Sequence, residues 1–192
     1  MKIKIIQLLC VLVLFGCQKN DIDVFNGSNT SLAKLNGNWI VVNYWADWCA
    51  PCIKEIPELN EFARENDDLL VFTFNFDFLE VDDLEPIAER FNIEVPSLIT
   101  HPNEIWGIDT PPAVPATFFI NPAGEVVLSL FRPQTKEELN RIYMHWSTEI
   151  IDSPYRSDNK FPSMGGRYDK FRELLDDSDG PNSWVEFWEE IK

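Results

Sequence analysis

The chain has 192 residues, 45% hydrophobic and 13% aromatic, enough to bury the core of one medium domain and leave an appendage. Its net charge of −16, with 16 Lys and Arg spread along the chain and no basic stripe, excludes a nucleic-acid-binding face. The four cysteines narrow the chemistry further once their positions are considered.

At the N-terminus Lys2 and Lys4 precede an apolar run from Ile5 to Phe15, broken only by Gln7 and closed by Gly16-Cys17. A charged start, an apolar core of this length and a small residue at its end read as a secretory signal, short for a membrane-spanning helix. Its end, Leu14-Phe15-Gly16-Cys17, resembles a bacterial lipoprotein signal, which implies cleavage after residue 16 and a lipid on Cys17. An ordinary signal peptide or an uncleaved anchor would export the chain as well. The expected location is periplasmic or on the outer face of a bacterial membrane, held through Cys17. Cys10 then leaves with the signal and Cys17 is capped, so Cys49 and Cys52 remain as thiols in an oxidising compartment.

Residues 17–30 are expected to be a tether, since the stretch from Asp21 to Ser31, DIDVFNGSNTS, is short, polar and Gly-containing. Residues 31–151 alternate between strand and helix patterns. Trp39 to Trp45 and Leu69 to Phe76 are continuous apolar runs, the pattern of strands buried on both faces. Between them Ile53, Ile56, Leu59 and Phe62 recur at helical spacing through Glu65, with Pro57 expected to kink that helix. VDDLEPIAERFNI reads as an amphipathic helix with acidic residues in its first turn, and VPSLIT as a further strand before a broken segment, His101 to Pro112. Val114 to Ile120 and Glu125 to Phe131, joined by Asn-Pro-Ala-Gly, make a hairpin. A last helix sets Leu139, Ile142, Tyr143 and Trp146 on one face, with Thr135 and Glu138 as its capping box. The order predicts an α/β fold, a mixed sheet covered by helices.

Residues 152–192 form an acidic and aromatic extension. Ser183 and Glu186 mark another capping box, and Trp184, Phe187, Trp188 and Ile191 share a helical face. Aligning Gly180 of DDSDG with a calcium-loop glycine puts Leu175 at the first ligand position, which excludes calcium there.

Cys49 and Cys52 stand in Trp48-Cys49-Ala50-Pro51-Cys52, at a strand-to-helix junction. Zinc needs about four ligands, and His101 and His145 have no ligand-like spacing. A structural disulfide across three residues closes a tiny loop and constrains the unfolded chain little. A redox couple remains. Near a helix N-terminus, backbone N–H groups and the macrodipole favour an anion, so Cys49 is the expected attacking thiolate and Cys52, one turn inside, the resolving thiol. Pro51 sits where a missing N–H is harmless, and Ala50 keeps the tip small.

NYWADWCAPCIKEIP together with VPATFFINPAGEV resembles the thioredoxin-like fold, and specifically the exported TlpA/ResA-type thiol–disulfide oxidoreductases, over about residues 31 to 151. The resemblance implies a three-layer fold with Leu69 to Ile93 as a central βα insertion. It implies a cis bond before Pro115, which leaves Val114 to pair with an extended substrate beside Trp48, Ala50 and Pro51. It assigns acid–base modulation to Glu55, for which a solvated helix-face charge is the alternative. Thioredoxin's buried acid, six residues before the first cysteine, is replaced by Asn43. The resemblance suggests apocytochrome c as the substrate class, but the loop before Pro115 lacks an expected glycine and carries Pro111 and Pro112, a stiffer loop that leaves a different substrate choice open.

The expected activity is reduction of extracytoplasmic protein disulfides by the Cys49–Cys52 dithiol, without metal or other cofactor, re-reduced by a membrane electron donor. The rivals are a disulfide donor, a non-catalytic module covered by the C-terminal helix, and a thiol peroxidase. The last wants Thr or Ser three residues before the cysteine, where Ala46 stands.

Overall fold

A computed structural model describes residues 21–152, with side chains to residue 147, the end of one compact unit. The lipoprotein signal, Cys17 and the expected helix at residues 183–191 lie outside the described residues.

The strands are β1 (Val24–Phe25), β2 (Trp39–Trp45), β3 (Leu69–Asn75), β4 (Ser97–Leu98), β5 (Ala116–Ile120) and β6 (Val126–Leu130). They form one sheet in the order β1-β4-β3-β2-β5-β6. The two continuous apolar runs take the middle, because only an interior strand covered on both faces buries such a sequence without waste. β2 lies parallel to β3 from Trp39↔Leu69 to Trp45↔Asn75 and antiparallel to β5 from Ile40↔Ile120 to Tyr44↔Ala116. The βα unit expected as an insertion is therefore built into the sheet, with β3 between β2 and β4.

The helices are α1 (Leu32–Leu35), α2 (Ala50–Glu65), α3 (Val81–Phe91), α4 (Pro102–Trp106) and α5 (Lys136–Asp152). Alternation along β2 divides the core. Ile40, Val42 and Tyr44 pack with Phe74, Phe118, Leu35 of α1 and Trp106 of α4. Trp45 packs on the other face with Cys52 and Ile56 of α2 and Leu84 and Ala88 of α3. α5 joins the α2 face: Tyr143 meets Trp39 edge-on at 6.3 Å, and Lys136 bridges Glu61 and Glu65 at 3.1 and 2.9 Å. These are the three layers expected.

Both capping-box bonds at the start of α5 form, Thr135 N–H to Glu138 Oε2 at 3.0 Å and Glu138 N–H to Thr135 Oγ1 at 3.2 Å. α2 continues through Pro57 as a single helix. Two expectations need correction. Asp21 to Thr30 is not a tether. Val24 and Phe25 pair antiparallel with Leu98 and Ser97, and Ile22, bridged to Thr30, is buried. Asn29 and Thr100 accept from the backbone of Val24 and Asp23, so polar side chains supply the bonds that so short a strand lacks. The broken segment contains α4, a single turn with Pro102 at its start, His101 Nδ1 accepting from Asn103 N–H at 2.9 Å, and left-handed Gly107 at its end.

Candidate active site

Ala46 to Trp48 carry the chain from β2 into α2, and Cys49 is the N-cap of that helix, its sulfur accepting from Cys52 N–H at 3.3 Å. Cys49 and Cys52 are joined as a disulfide with a Cα–Cα distance of 5.3 Å. Their side chains are buried, at 4% and 1% exposure, while Ala50 and Pro51 beside them are exposed and Trp48 is 61% exposed. The helix start thus offers the Cys49 sulfur an N–H donor, and the tip at Ala50 and Pro51 is open to approach.

The Val114–Pro115 bond is cis, as expected. Cys49 Sγ lies 3.6 Å from the Val114 carbonyl oxygen. In the disulfide the sulfur has no proton to donate and this is a contact. In the dithiol the same oxygen is within reach of a thiol hydrogen. Two segments far apart in sequence, 48–52 and 114–115, therefore meet at the sulfur, as the resemblance required.

Glu55 is 3% exposed, which rules out a solvated helix-face charge. Its Oε1 accepts from Gln134 N–H at 3.0 Å and its Oε2 lies 3.4 Å from Asn43 Nδ2. Burial raises its pKa from the usual 4.5 to about 7, against the pull of those two hydrogen bonds. A carboxyl that changes protonation near neutrality, one turn along the helix from Cys52, is suited to proton transfer during disulfide exchange. Asn43, singled out only as unable to hold a proton, also donates to Thr117 Oγ1 at 3.0 Å. It ties the cysteine helix, through Glu55, to the strand that follows Pro115. Gln134 had no sequence signal, because it acts through its backbone N–H from 79 positions away.

Among the described residues no group of three or more His, Cys, Asp or Glu is placed to hold a metal ion. His101 is instead an aromatic neighbour, stacked on Phe78 at 5.1 Å.

The AhpC/TSA family model matches residues 16–129, more than half of the chain. The chain belongs to the AhpC/TSA family. Among curated relatives, the thiol-disulfide oxidoreductase ResA of Geobacillus kaustophilus is 29% identical over 119 residues, 60% of this chain and 67% of that protein. ResA of Bacillus anthracis is 30% identical over 114 residues, 59% of this chain and 66% of that protein. The chain thus spans about two thirds of the length of these relatives. The crystal structure of StoA from Bacillus subtilis is similar with a TM-score of 0.51 at 22% identity, over 64% of this chain and 98% of that one. This family member has the thioredoxin-like fold and is of the ResA type, and its class of activity is thiol–disulfide oxidoreduction.

Proposed function

We propose that the chain is an exported protein-disulfide reductase, anchored to a bacterial membrane through a lipid on Cys17, with no cofactor beyond the Cys49–Cys52 couple. The observation that carries the reading is the Cys49–Cys52 disulfide at the α2 N-terminus, with Cys49 Sγ 3.6 Å from the carbonyl beside cis-Pro115.

In the reduced form the Cys49 thiolate attacks one sulfur of a substrate disulfide, forming a mixed disulfide and releasing the first substrate thiolate. The Cys52 thiolate then attacks Cys49 Sγ, releases the second substrate thiolate and leaves the Cys49–Cys52 disulfide, so two electrons pass to the substrate. Glu55 exchanges the proton of Cys52 in this step, and the backbone at Val114 aligns the substrate strand. A membrane thiol donor returns the two electrons, because an exported reductase is otherwise drained by its surroundings. Apocytochrome c is the substrate class that the ResA relationship suggests.

The same residues would serve a disulfide donor, and the reduction potential separates the two. Equilibration of the couple in graded glutathione or dithiothreitol buffers should give a value near thioredoxin's, roughly −270 mV; one near roughly −120 mV would reverse the direction of electron flow. For the anchor, Cys17→Ser should abolish labelling by a radioactive fatty acid and release the protein from the membrane fraction. Unchanged membrane retention would count against lipidation.

A further inference from the structure

The rim beside Cys49 carries an aromatic surface that disulfide chemistry does not require. Trp48 is 61% and Phe78 52% exposed, although large aromatic side chains ordinarily bury most of their area. They are linked through the loop that follows β3. Trp48 meets Phe76 edge-on at 6.0 Å and donates through Nε1 to Asp77 Oδ2 at 2.7 Å. Phe78 lies edge-on to Phe74 at 5.8 Å and stacks on His101. The loop backbone is held as well, Phe76 N–H donating to the Trp45 carbonyl at 2.8 Å and Asp77 N–H to Asn75 Oδ1 at 2.9 Å. Phe78 adopts a left-handed φ of 57°, which bulky residues rarely do. A fixed ledge of rings therefore starts at the reactive cysteine and runs outward.

The charged side chains of the ledge segment itself are carboxylates, and the cation Arg90 is already bridged to Asp47 at 3.4 Å. Asp77 is part of the ledge, and exposed Glu80, which makes no side-chain capping bond, follows it at the start of α3. A partner approaching Cys49 along these rings meets carboxylates at their edges. Lys and Arg match both features, with an apolar stem or flat guanidinium that lies on a ring and a cation that sits beside the carboxylates. An acidic segment would be repelled, and a neutral one would gain from the rings alone.

We propose that Trp48, Phe76, Asp77, Phe78 and Glu80 form a docking ledge for substrates whose reducible disulfide is flanked by Lys or Arg. The proposal rests on the disulfide-reductase reading and specifies its substrates. The test uses the full chain, purified in detergent and pre-reduced, with three synthetic peptides that share one disulfide loop. They differ only in whether Lys, Gln or Glu occupies the two positions flanking the first cysteine.

The Lys peptide should be reduced about tenfold faster than the Gln peptide at low salt, and the Glu peptide more slowly still. The Lys/Gln ratio should approach one at about 0.5 M salt. Asp77→Asn/Glu80→Gln, in which Asn keeps an acceptor for Trp48, should cut the ratio to about threefold, as should Phe78→Asn, which removes the ring at a backbone angle Asn tolerates. Asp67→Asn/Glu89→Gln makes the same charge change at exposed positions, beyond the C-terminal end of α2 and near that of α3, and should leave the ratio unchanged. Equal rates for the Lys and Gln peptides, or an equal loss in the two double variants, would overturn the ledge while leaving the reductase reading intact. If none of the three peptides is reduced, that reading falls and the ledge with it.

Discussion

Glu55 gives the fold a pH dependence of a definite sign. Its folded pKa of about 7 lies above the usual 4.5, and burial is the cause. Below about pH 4.5 the group is protonated in both folded and unfolded chains. Between about 4.5 and 7 the folded protein holds a proton that the unfolded chain has released, so stability falls as pH rises, by about 1.4 kcal/mol per pH unit. Above about 7 both forms are ionised and the loss levels off. Over the whole window the shift amounts to about 3 kcal/mol. Glu55→Gln removes the titration and keeps an oxygen for the Gln134 N–H, with the amide nitrogen in place of the oxygen that faces Asn43. The assay is denaturant unfolding of the oxidised protein and this variant from pH 4.5 to 8, read as the difference between them so that other groups cancel. The wild type should lose about 3 kcal/mol relative to the variant across that range. A flat difference would refute the raised pKa, and one that rises with pH would mean that the fold stabilises the carboxylate.

Cys49→Ser should abolish dithiothreitol-driven reduction of insulin, while Cys52→Ser should accumulate a mixed disulfide with substrate, detectable by intact mass. Asn43→Ala takes a donor from both Glu55 and Thr117 and should lower stability by about 1–3 kcal/mol in urea. It should also move the Glu55 step to higher pH, since the Asn43 bond lowers that pKa. Thr135→Ala removes one arm of the α5 capping box and should cost about 1 kcal/mol in the same measurement. Phe62→Ala, at a fully buried ring of α2, should cost about 3–5 kcal/mol.

Much of this site was legible because its first elements are local. Cys49, Ala50, Pro51 and Cys52 occupy one helical turn after a buried strand, so spacing alone placed the sulfurs at a helix N-terminus. The apolar run of β2 and the Thr135–Glu138 pair of α5 are likewise written within a few residues, and both formed with the limits expected. Val114 and Pro115 were reached only through the family pattern, since nothing local brings them to Cys49. Helical spacing could also have been read for Glu55, which lies beside Ile56 on the buried side of α2. The family pattern pointed to Glu55, and its burial decided against the solvated charge that was the alternative.

By itself the sequence determined the redox pair, the order of β2, α2, β3, α3, β4, β5, β6 and α5, and the acidity of the whole chain. These depend on residue identity and on spacings within a turn or a strand. The tertiary structure decided that Asp21 to Thr30 joins the sheet, that Asn43 holds both Glu55 and Thr117, and that Phe78 and His101 extend the aromatic rim from Trp48. Each of these depends on a partner tens of positions away or on the burial that such a partner creates. The Glu55 pKa is raised only because β2 and the loop before α5 close over the carboxyl and exclude water.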